Sequence, residues 1–386
     1  MRIRLENGRI VTPQGVIDGA DVTVVNGTIA TLVPIGGGKA DSAINLEGGW
    51  LLPGFIDTQV NGGGGVLFND EVDVDTIAAI GSAHARFGTT AFLPTLISDT
   101  PDQIAAALAA VDAAIDHGVP GVVGIHVEGP FINEVKRGIH EARRIRRLDA
   151  DTLALLTAPR RGRVMLTLAP ELCDESDIRT LVEHGVIVSA GHTNATYDEA
   201  QRAIAAGLTG FTHLFNAMSP LHHRKPGAVG AAFDSDTYCG MIVDDAHLHP
   251  AVVRLAVRAK GIERLMLVTD AMPSVGTDDT EFMLQGKRIM VRDGVCLFED
   301  GTLAGTHLDM ASALRNTIAE TGLEVAEAAV MASTTPARFL SLDTHGELAP
   351  GKRADWVWLD DKLQPLGTWI GGERLTDTEE FARAAQ

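Results

Sequence analysis

Residues 91–127 read AFLPTLISDTPDQIAAALAAVDAAIDHGVPGVVGIHV, an apolar run, an alanine-rich stretch and a second apolar run. In the middle stretch, residues 101–115, apolar side chains recur with the period of a helix, which predicts an amphipathic helix. The flanking runs, 91–96 and 122–127, are short and apolar, as expected of buried strands. A strand, a helix and a second strand form the repeating unit of α/β folds.

The same alternation continues in both directions along the chain. Strand-like runs occur at residues 54–59, 91–96, 122–127, 164–168, 186–190, 210–212, 238–243 and 265–269, and helical segments separate them. Eight buried strands alternating with helices are the pattern of an α/β fold of the (β/α)8 TIM-barrel type. A segment near residues 280–304, with turn signals at Gly286 and Asp293-Gly294, predicts a β-hairpin inserted after the eighth strand.

Both ends of the chain have a different texture from the barrel. The first fifty residues contain short alternating runs separated by turn signals such as Asn26-Gly27, and the alternation returns in residues 354–375. We therefore predict a small β-sandwich domain built from residues 1–52 and 343–386, with the barrel spanning residues 53–342.

Composition and charge exclude several classes of function. The chain has 386 residues, and 32 Lys+Arg against 51 Asp+Glu give a formal charge of −19, which argues against a nucleic-acid partner. No run is apolar for long enough to span a membrane, and three dispersed cysteines predict no disulfide framework. A cytoplasmic protein is expected. The basic run at residues 136–147 either steers an anionic substrate or forms a solvated charged face.

Polar side chains follow the predicted strands where these end. Glu128 follows the third strand, His192 the fifth and His213 the sixth. Because the active site of such a barrel lies at the carboxyl-terminal ends of its strands, we expect the three side chains on one rim. One carboxylate and two imidazoles suit a single catalytic metal and leave a coordination position open. The sequence therefore predicts a mononuclear metal site.

Asp270 ends the eighth strand on the same rim. A carboxylate beside a metal site can accept a proton from attacking water and pass it to a departing nitrogen, which amide hydrolysis requires. Taken singly, these residues have plainer explanations: a histidine at a strand end is commonly a hydrogen-bonded loop residue, and Asp270 would suit a helix N-cap. Four such residues at the ends of four strands favour a catalytic site.

The motifs around these residues resemble those of the N-acetylglucosamine-6-phosphate deacetylases of the amidohydrolase superfamily, over nearly the whole chain. LPGFID at 52–57 and GELAPGKRAD at 346–355 are motifs of the entire superfamily. HVEGP at 126–130 and THLFNAM at 212–218 are more specific to the deacetylases. The resemblance also extends to SAGHTNAT at 189–196 and LVTDA at 267–271.

This resemblance implies hydrolysis of N-acetyl-D-glucosamine 6-phosphate, with Glu128, His192 and His213 as metal ligands and Asp270 as general base and acid. It implies one divalent metal per subunit, zinc foremost, although iron, cobalt or manganese would suit the same ligands. Arg224 is expected to bind the phosphate from the neighbouring subunit of a homodimer. The implied substrate contacts are Ile139, His140, Asn216, Ala217, Arg224, His247, Leu303, Ala304 and Gly305.

The sequence departs from the two-metal members of the superfamily. Those carry a His-x-His pair at the end of the first strand, where this chain has Gln59 and Asn61. Amides bind metals weakly, so both are expected to hydrogen-bond water or neighbouring ligands, and His126 is expected to support the ligands as well. No carboxylated lysine is present at the fourth strand, which leads to Glu171, a further candidate for a supporting role.

Three alternatives remain beside this hypothesis. The enzyme could deacetylate another N-acetylamino-sugar phosphate, such as the galactosamine epimer, or it could be a cyclic amidase of the same superfamily. The missing His-x-His pair disfavours a cyclic amidase, whereas the epimers differ by one hydroxyl group that the sequence does not distinguish. A barrel that only senses or scaffolds sugar phosphates is disfavoured because all three ligands and Asp270 are present.

Overall fold

The computed structural model describes residues 1–375, so residues 376–386 of the predicted small domain lie outside the described residues. Eight parallel strands, hydrogen-bonded in chain order, form the central barrel and lie within two residues of the predicted runs at each end. The predicted (β/α)8 barrel is confirmed. Its strands are β1 (Phe55–Val60), β2 (Thr89–Ile97), β3 (Gly124–Glu128), β4 (Arg163–Leu168), β5 (Ile187–Ala190), β6 (Gly210–Phe211), β7 (Tyr238–Met241) and β8 (Leu265–Leu267).

Helices surround the barrel and bury their apolar faces against the strands. The helix in the opening stretch illustrates the local causes: Thr100 caps its first turn by accepting a hydrogen bond from the Gln103 amide, and Pro101 occupies a position that tolerates proline. The helices are α1 (Val74–Ala85), α2 (Pro101–Asp116), α3 (Ala150–Thr157), α4 (Glu175–Glu183), α5 (Tyr197–Ala205), α6 (Gly227–Phe233), α7 (Pro250–Lys260), α8 (Met310–Thr321), α9 (Val325–Ala329) and α10 (Thr335–Phe339).

The barrel closes between its first and last strands through a short bridge extended by a side chain. Val60 pairs with Ala271, and the Asp270 amide donates to the Gln59 carbonyl at 2.9 Å. Lower down, the Asp57 carboxylate accepts hydrogen bonds from the Thr269 hydroxyl at 2.5 Å and the Thr269 amide at 3.3 Å. The Asp57 carboxylate thus accepts a backbone hydrogen bond between β1 and the end of β8, as a backbone carbonyl would in a regular sheet.

The two chain ends form one hydrogen-bonded sheet around a separate apolar core that includes Trp356. The strand Arg2–Thr12 pairs along its first half with Ser42–Asn45 and along its second half with Trp50–Pro53. On its other edge it pairs with Gly15–Val25, and the register of that pairing shifts between Leu5 and Arg9. This sheet forms the small β domain expected from the two chain ends. Its strands are Arg2–Thr12, Gly15–Val25, Thr28–Val33, Ser42–Asn45, Trp50–Pro53, Trp356–Leu359, Pro365–Ile370 and Glu373–Leu375.

The insertion after β8 is a four-stranded antiparallel sheet, which is larger than the single hairpin expected. Leu284, Ile289 and Cys296 pack from it against Met272 and Ile97, so the sheet covers the rim where β8 and β2 end. Its strands are Glu281–Leu284, Lys287–Arg292, Val295–Leu297 and Leu303–Thr306. Within residues 1–375, no helix combines the length and apolar character of a membrane span.

Candidate active site

Three of the four predicted catalytic residues have left-handed backbone conformations. The φ angles are 46° at His192, 35° at His213 and 53° at Asp270. Such conformations cost a residue other than glycine about 1–3 kcal/mol and persist where the surrounding structure holds them. His192 and His213 lie two residues beyond the ends of β5 and β6, and Asp270 lies three residues beyond the end of β8, so all three belong to the rim.

Glu128, His192 and His213 converge closely and are almost fully buried. Oε1 of Glu128 lies 3.0 Å from Nε2 of His213 and 3.3 Å from Nε2 of His192, and the two Nε2 atoms are 3.1 Å apart. Burial raises the pKa of Glu128, but the hydrogen bonds and charges of the two histidines outweigh it and hold the pKa well below its ordinary value. Glu128 therefore remains a carboxylate.

The donor set fits a divalent cation. His192 is oriented by a hydrogen bond of 2.8 Å between its Nδ1 and the Lys136 carbonyl, which leaves the Nε2 lone pair facing Glu128. Burial lowers the pKa of His213, yet the hydrogen bond and charge of Glu128 raise it overall, so the carboxylate favours a positive charge at this point. Two imidazole nitrogens and one carboxylate oxygen are ligands of catalytic zinc and related metals.

His140 lies beside this group and offers an alternative third ligand. Ligand atoms of Glu128, His140 and His192 all lie within 4.8 Å of one another. However, Nδ1 of His140 accepts from the Ser98 amide at 3.3 Å, so its Nε2 bears the hydrogen and lies 3.9 Å from Glu128 Oε2. His213 is closer and has the better geometry. Burial, with His192 nearby, holds the pKa of His140 well below its ordinary value, which makes His140 a neutral hydrogen-bond donor.

Asp270 is held by the two amides that replace the His-x-His pair. Its Oδ1 accepts hydrogen bonds from Asn61 at 2.7 Å and from Gln59 at 3.0 Å, and Gln59 also donates to Glu128 at 3.1 Å. Burial and the charge of Glu128 raise the pKa of Asp270 to about 6. The carboxylate is thus ionised at neutral pH but can take up a proton readily.

His126 points into the barrel one layer below Glu128, since alternate residues of a strand share a face. Its Nδ1 lies 3.1 Å from the Thr95 hydroxyl, and its Nε2 lies 2.7 Å from the Thr167 hydroxyl. The Thr167 hydroxyl in turn lies 2.7 Å from the Thr212 hydroxyl. Burial lowers the pKa of His126 to about 4, so the ring is neutral. The residue therefore joins strands beneath the site and makes no hydrogen bond to the three ligand side chains.

The residues expected to contact the substrate differ in what the structure shows of them. Nδ2 of Asn216 is buried without a hydrogen-bond partner in the described structure, and the neighbouring Ala217 has φ 51°. Gly305, in the strand Leu303–Thr306, has φ 64°, and a side chain there would meet the Asp270 carbonyl at 3.0 Å. Ile139 packs against the inserted sheet. Gly305 therefore borders Asp270, and Ile139 lies next to His140 in the chain.

His247 is oriented by an aspartate that the sequence did not assign. Its Nδ1 lies 2.7 Å from Oδ2 of Asp244, while Oδ1 accepts the backbone amides of Ala246 and His247. Burial raises the pKa of Asp244, but the hydrogen bond and charge of His247 outweigh it and lower the pKa overall. An ionised Asp244 therefore fixes the ring of His247.

Arg224 has no charged partner in the described part of the chain. It lies in an exposed turn between His222 and Lys225, and within residues 1–375 its guanidinium makes no ion pair. The basic run behaves differently: Arg143 pairs with Glu141 at 2.9 Å and Arg144 pairs with Asp99 at 3.2 Å. These contacts favour the interpretation of that run as a charged face tied to its neighbours.

Several supporting residues escaped the sequence analysis. Asp57 lies in the superfamily motif LPGFID, but the motif itself carries no indication of a bond to Thr269. Ser98 and the Lys136 carbonyl orient His140 and His192, and neither has a recognisable sequence signal. Their roles depend on loops that meet only in the folded barrel.

The chain is similar to known proteins in both sequence and structure. Residues 50–381 match the model of the amidohydrolase family. N-acetylgalactosamine-6-phosphate deacetylase of Shewanella sp. (strain ANA-3) is 48% identical over 337 residues, which cover 87% of this chain and 85% of that protein.

Two solved structures are similar over almost their entire length. N-acetylglucosamine-6-phosphate deacetylase from Pasteurella multocida is 34% identical, with a TM-score of 0.94, and the match covers 98% of this chain and 100% of that one. A mutant of the Mycobacterium smegmatis enzyme in complex with N-acetyl-D-glucosamine-6-phosphate is 31% identical, with a TM-score of 0.89 and coverage of 98% and 99%.

Proposed function

This chain belongs to the amidohydrolase family, and we propose that it hydrolyses N-acetyl-D-glucosamine 6-phosphate to D-glucosamine 6-phosphate and acetate. The observation that carries the proposal is the convergence of Glu128, His192 and His213 within about a hydrogen-bond distance of one another, with Asp270 joined to Glu128 through Gln59. The relatives described above supply the substrate, because they are deacetylases of N-acetylamino-sugar phosphates.

We assign the metal site to Glu128, His192 and His213, with one divalent ion per subunit. When bound, such an ion lowers the pKa of water and polarises a carbonyl group. Two imidazoles and a carboxylate hold zinc in catalytic sites, and iron, cobalt and manganese accept the same ligands. The amides of Gln59 and Asn61 point their hydrogens toward carboxylates, which favours one metal over two.

Asp270 carries the proton in the proposed mechanism. Hydrogen bonds from Gln59 and Asn61 hold Oδ1, and Oδ2 is then the atom that accepts a proton from the attacking water. The water oxygen bonds to the acetyl carbon, the carbon–nitrogen bond breaks, and Asp270 returns the proton to the departing amine. A pKa of about 6 suits both transfers near neutral pH.

His140 is proposed to donate its Nε2 hydrogen to a sugar hydroxyl or to the developing oxyanion. That atom is buried, has no hydrogen-bond partner within residues 1–375 and lies 3.9 Å from Glu128. A donor held ready in this way stabilises negative charge without reorganisation. Asn216, whose Nδ2 is similarly unpartnered, is proposed to bind the sugar phosphate together with His247. The remaining proposed contacts with the sugar are Ile139, Ala217, Leu303, Ala304 and Gly305.

We further propose a homodimer in which Arg224 binds the phosphate in the neighbouring active site. The planar guanidinium donates hydrogen bonds in pairs and suits phosphate better than a lysine would. Its exposure in a turn, away from the ion pairs of its own chain, is consistent with a role across an interface.

A second substrate is favoured by a specific observation. The relative from Shewanella, at 48% identity, is named as an N-acetylgalactosamine-6-phosphate deacetylase, whereas the two similar structures at 34% and 31% identity are named for the glucosamine epimer. The reaction and the site would be the same for both sugars, which differ at one hydroxyl group.

The test measures acetate release from N-acetylglucosamine 6-phosphate, its galactosamine epimer and unphosphorylated N-acetylglucosamine, with metal per chain determined on the same sample. We expect activity on the first sugar phosphate and about one metal per chain. A clear preference for the epimer would replace the substrate and keep the mechanism. No release from any of the three sugars by fully metallated protein would refute the proposed function.

A further inference from the structure

We propose that Glu171 is a positioning residue for the metal site, because its carboxylate joins the two loops that hold His192 in place. The inference rests on the metal site of the proposed function and adds a residue that binds neither metal nor substrate. Glu171 lies in the short turn Pro170–Leu172, which follows β4 directly. It therefore stands at the rim between β3 and β5, the strands that lead to Glu128 and His192.

The carboxylate of Glu171 accepts three hydrogen bonds from two different loops. Oε2 accepts from the Thr193 hydroxyl at 2.6 Å, and Oε1 accepts from the Asn194 amide at 2.7 Å, both in the loop that carries His192. Oε1 also accepts from Nδ2 of Asn133 at 2.9 Å, in the loop after β3. Bonds to an ionised acceptor are about twice as strong as neutral ones, so this carboxylate is an effective clamp.

The loop after β3 in turn holds His192 at two points. The backbone amide of Asn133 donates to the His192 carbonyl at 2.8 Å. The backbone amide of Lys136 donates to the backbone carbonyl of Asn133 at 2.9 Å, which closes a turn. The Lys136 carbonyl at the end of that turn lies 2.8 Å from Nδ1 of His192. Glu171 thus acts on the backbone of His192 through Thr193 and Asn194, and on its ring through Asn133 and Lys136.

His192 needs such support because its backbone is left-handed, with φ 46°. A residue in this region returns to a relaxed conformation unless its neighbours prevent it, and the ring nitrogen would then leave the ligand position. Outer groups that orient a metal-binding histidine contribute to metal affinity, and their removal costs about 10–100-fold. We therefore expect Glu171 to influence metal affinity more than the overall stability of the fold.

The carboxylate of Glu171 is satisfied by hydrogen-bond donors alone, since it makes no ion pair within the described part of the chain. Glu175, four residues later, provides a matched control. It lies in α4, is 41% exposed at its side chain and pairs with Arg179 at 2.9 Å on the surface. The two residues have the same side chain, but Glu171 bonds to two loops at the rim and Glu175 bonds to a surface arginine.

The experiment measures metal affinity by chelator competition on full-length wild type, Glu171→Ala, Glu171→Gln and Glu175→Ala, together with thermal unfolding of each metal-free protein. We expect Glu171→Ala to bind zinc about 10–100-fold more weakly than wild type. Glu171→Gln should lose less, because its amide oxygen still accepts, and Glu175→Ala should be unchanged. Turnover of Glu171→Ala should recover in excess zinc, which a general loss of structure would not allow.

Unchanged zinc affinity in Glu171→Ala would overturn the proposal. If that variant does not fold, Asn133→Asp decides, because an aspartate still accepts from the Val135 backbone amide, as Asn133 does at 3.0 Å, but offers no donor to Glu171, which stays bonded to Thr193 and Asn194. A weaker affinity in Asn133→Asp supports the proposal, and an unchanged one refutes it. Since the metal-affinity measurement contains no sugar, its result stands apart from the proposed function: a protein whose zinc affinity depends on Glu171 but that releases no acetate would refute only the function.

Discussion

The two corners of the rim are held in place in different ways. The ligand corner, formed by the proposed metal ligands Glu128, His192 and His213, is held partly from outside the barrel, since the Lys136 carbonyl orients His192. The shuttle corner, formed by the proposed proton shuttle Asp270 with Gln59 and Asn61, depends on the barrel wall itself. There the Asp270 amide donates to the Gln59 carbonyl, and both amide side chains meet the same carboxylate oxygen.

This difference follows from what holds the chain beyond the ends of the strands. His192 lies two residues beyond the end of β5, and its ring is held by a carbonyl of another loop. Asp270 lies three residues beyond the end of β8 but remains bonded to β1 through its own backbone amide, beside the bond between Asp57 and Thr269. Changes in loops should therefore act on metal binding, whereas changes in the wall should act on proton transfer and on stability.

The largest effect is expected from removal of a ligand. His213→Ala leaves one imidazole and one carboxylate, which hold a divalent metal poorly, so bound metal and acetate release should both fall to background. Metal per chain and turnover are the measurements. His184→Ala is the control, because His184 is exposed at the end of α4 and its side chain bonds only to the Thr180 carbonyl in the described structure. Normal metal content in His213→Ala would show that the ligand corner is assigned wrongly.

The second largest effect is expected from Asp270→Asn, which should change turnover without changing metal binding and so distinguishes the shuttle corner from the ligand corner. In Asp270→Asn the side chain keeps its size but accepts no proton, so turnover should drop by about 10²–10⁴-fold while metal content stays near that of wild type. Metal analysis and acetate release on the same sample test this. Loss of metal in this variant would mean that Asp270 belongs to the ligand corner, and near wild-type turnover would remove its role as proton shuttle.

The pH dependence of turnover tests how the shuttle corner is tuned. In the proposed mechanism Asp270 must be ionised to accept a proton, and burial raises its pKa to about 6, so activity should decline as the pH falls through about 6. The hydrogen bond from Asn61, 2.7 Å long, stabilises the charged form and lowers this pKa. Asn61→Leu should therefore shift the acid limb of the pH–rate profile to higher pH. A limb that stays in place would assign the titration to another group.

The smallest effect is expected for Asp57, which lies in the barrel wall beneath Asp270, and it concerns the pH dependence of the free energy of unfolding. Burial raises the pKa of Asp57 to about 7, so between its unfolded value near 4 and about 7 the folded protein binds this proton more tightly than the unfolded chain does. The contribution of Asp57 to the free energy of unfolding is present at low pH and declines as the pH rises, by at most about 1.4 kcal/mol per pH unit.

Asp57→Asn removes this titration. Denaturant unfolding of wild type and variant at pH 5 and pH 7 should show a steeper decline in wild type, and the difference between the two proteins isolates Asp57 from other groups. Equal slopes in both proteins would mean that Asp57 keeps an ordinary pKa despite its burial.

The eight strands and the rim residues were predictable because they depend on local patterns. A buried strand appears as an apolar run, and the side chains at its end share the rim once the barrel closes. The supporting contacts were not predictable in the same way. Asp57 and Thr269 are 212 positions apart, and the bond between them depends on the register with which β1 and β8 meet. Glu171 was recognised only as a candidate, since its partners lie on two other loops.

The sequence by itself determined which elements form and which chemical groups reach the rim, since periodicity and strand ends are local properties of the chain. Only the tertiary structure decided the directions of the hydrogen bonds: that Gln59 and Asn61 face carboxylates, that Ser98 sets the tautomer of His140, and that one glutamate joins two loops around His192. The physical reason is that a hydrogen bond requires two groups within about 3 Å at a suitable angle, and the closure of the barrel brings distant segments to that distance.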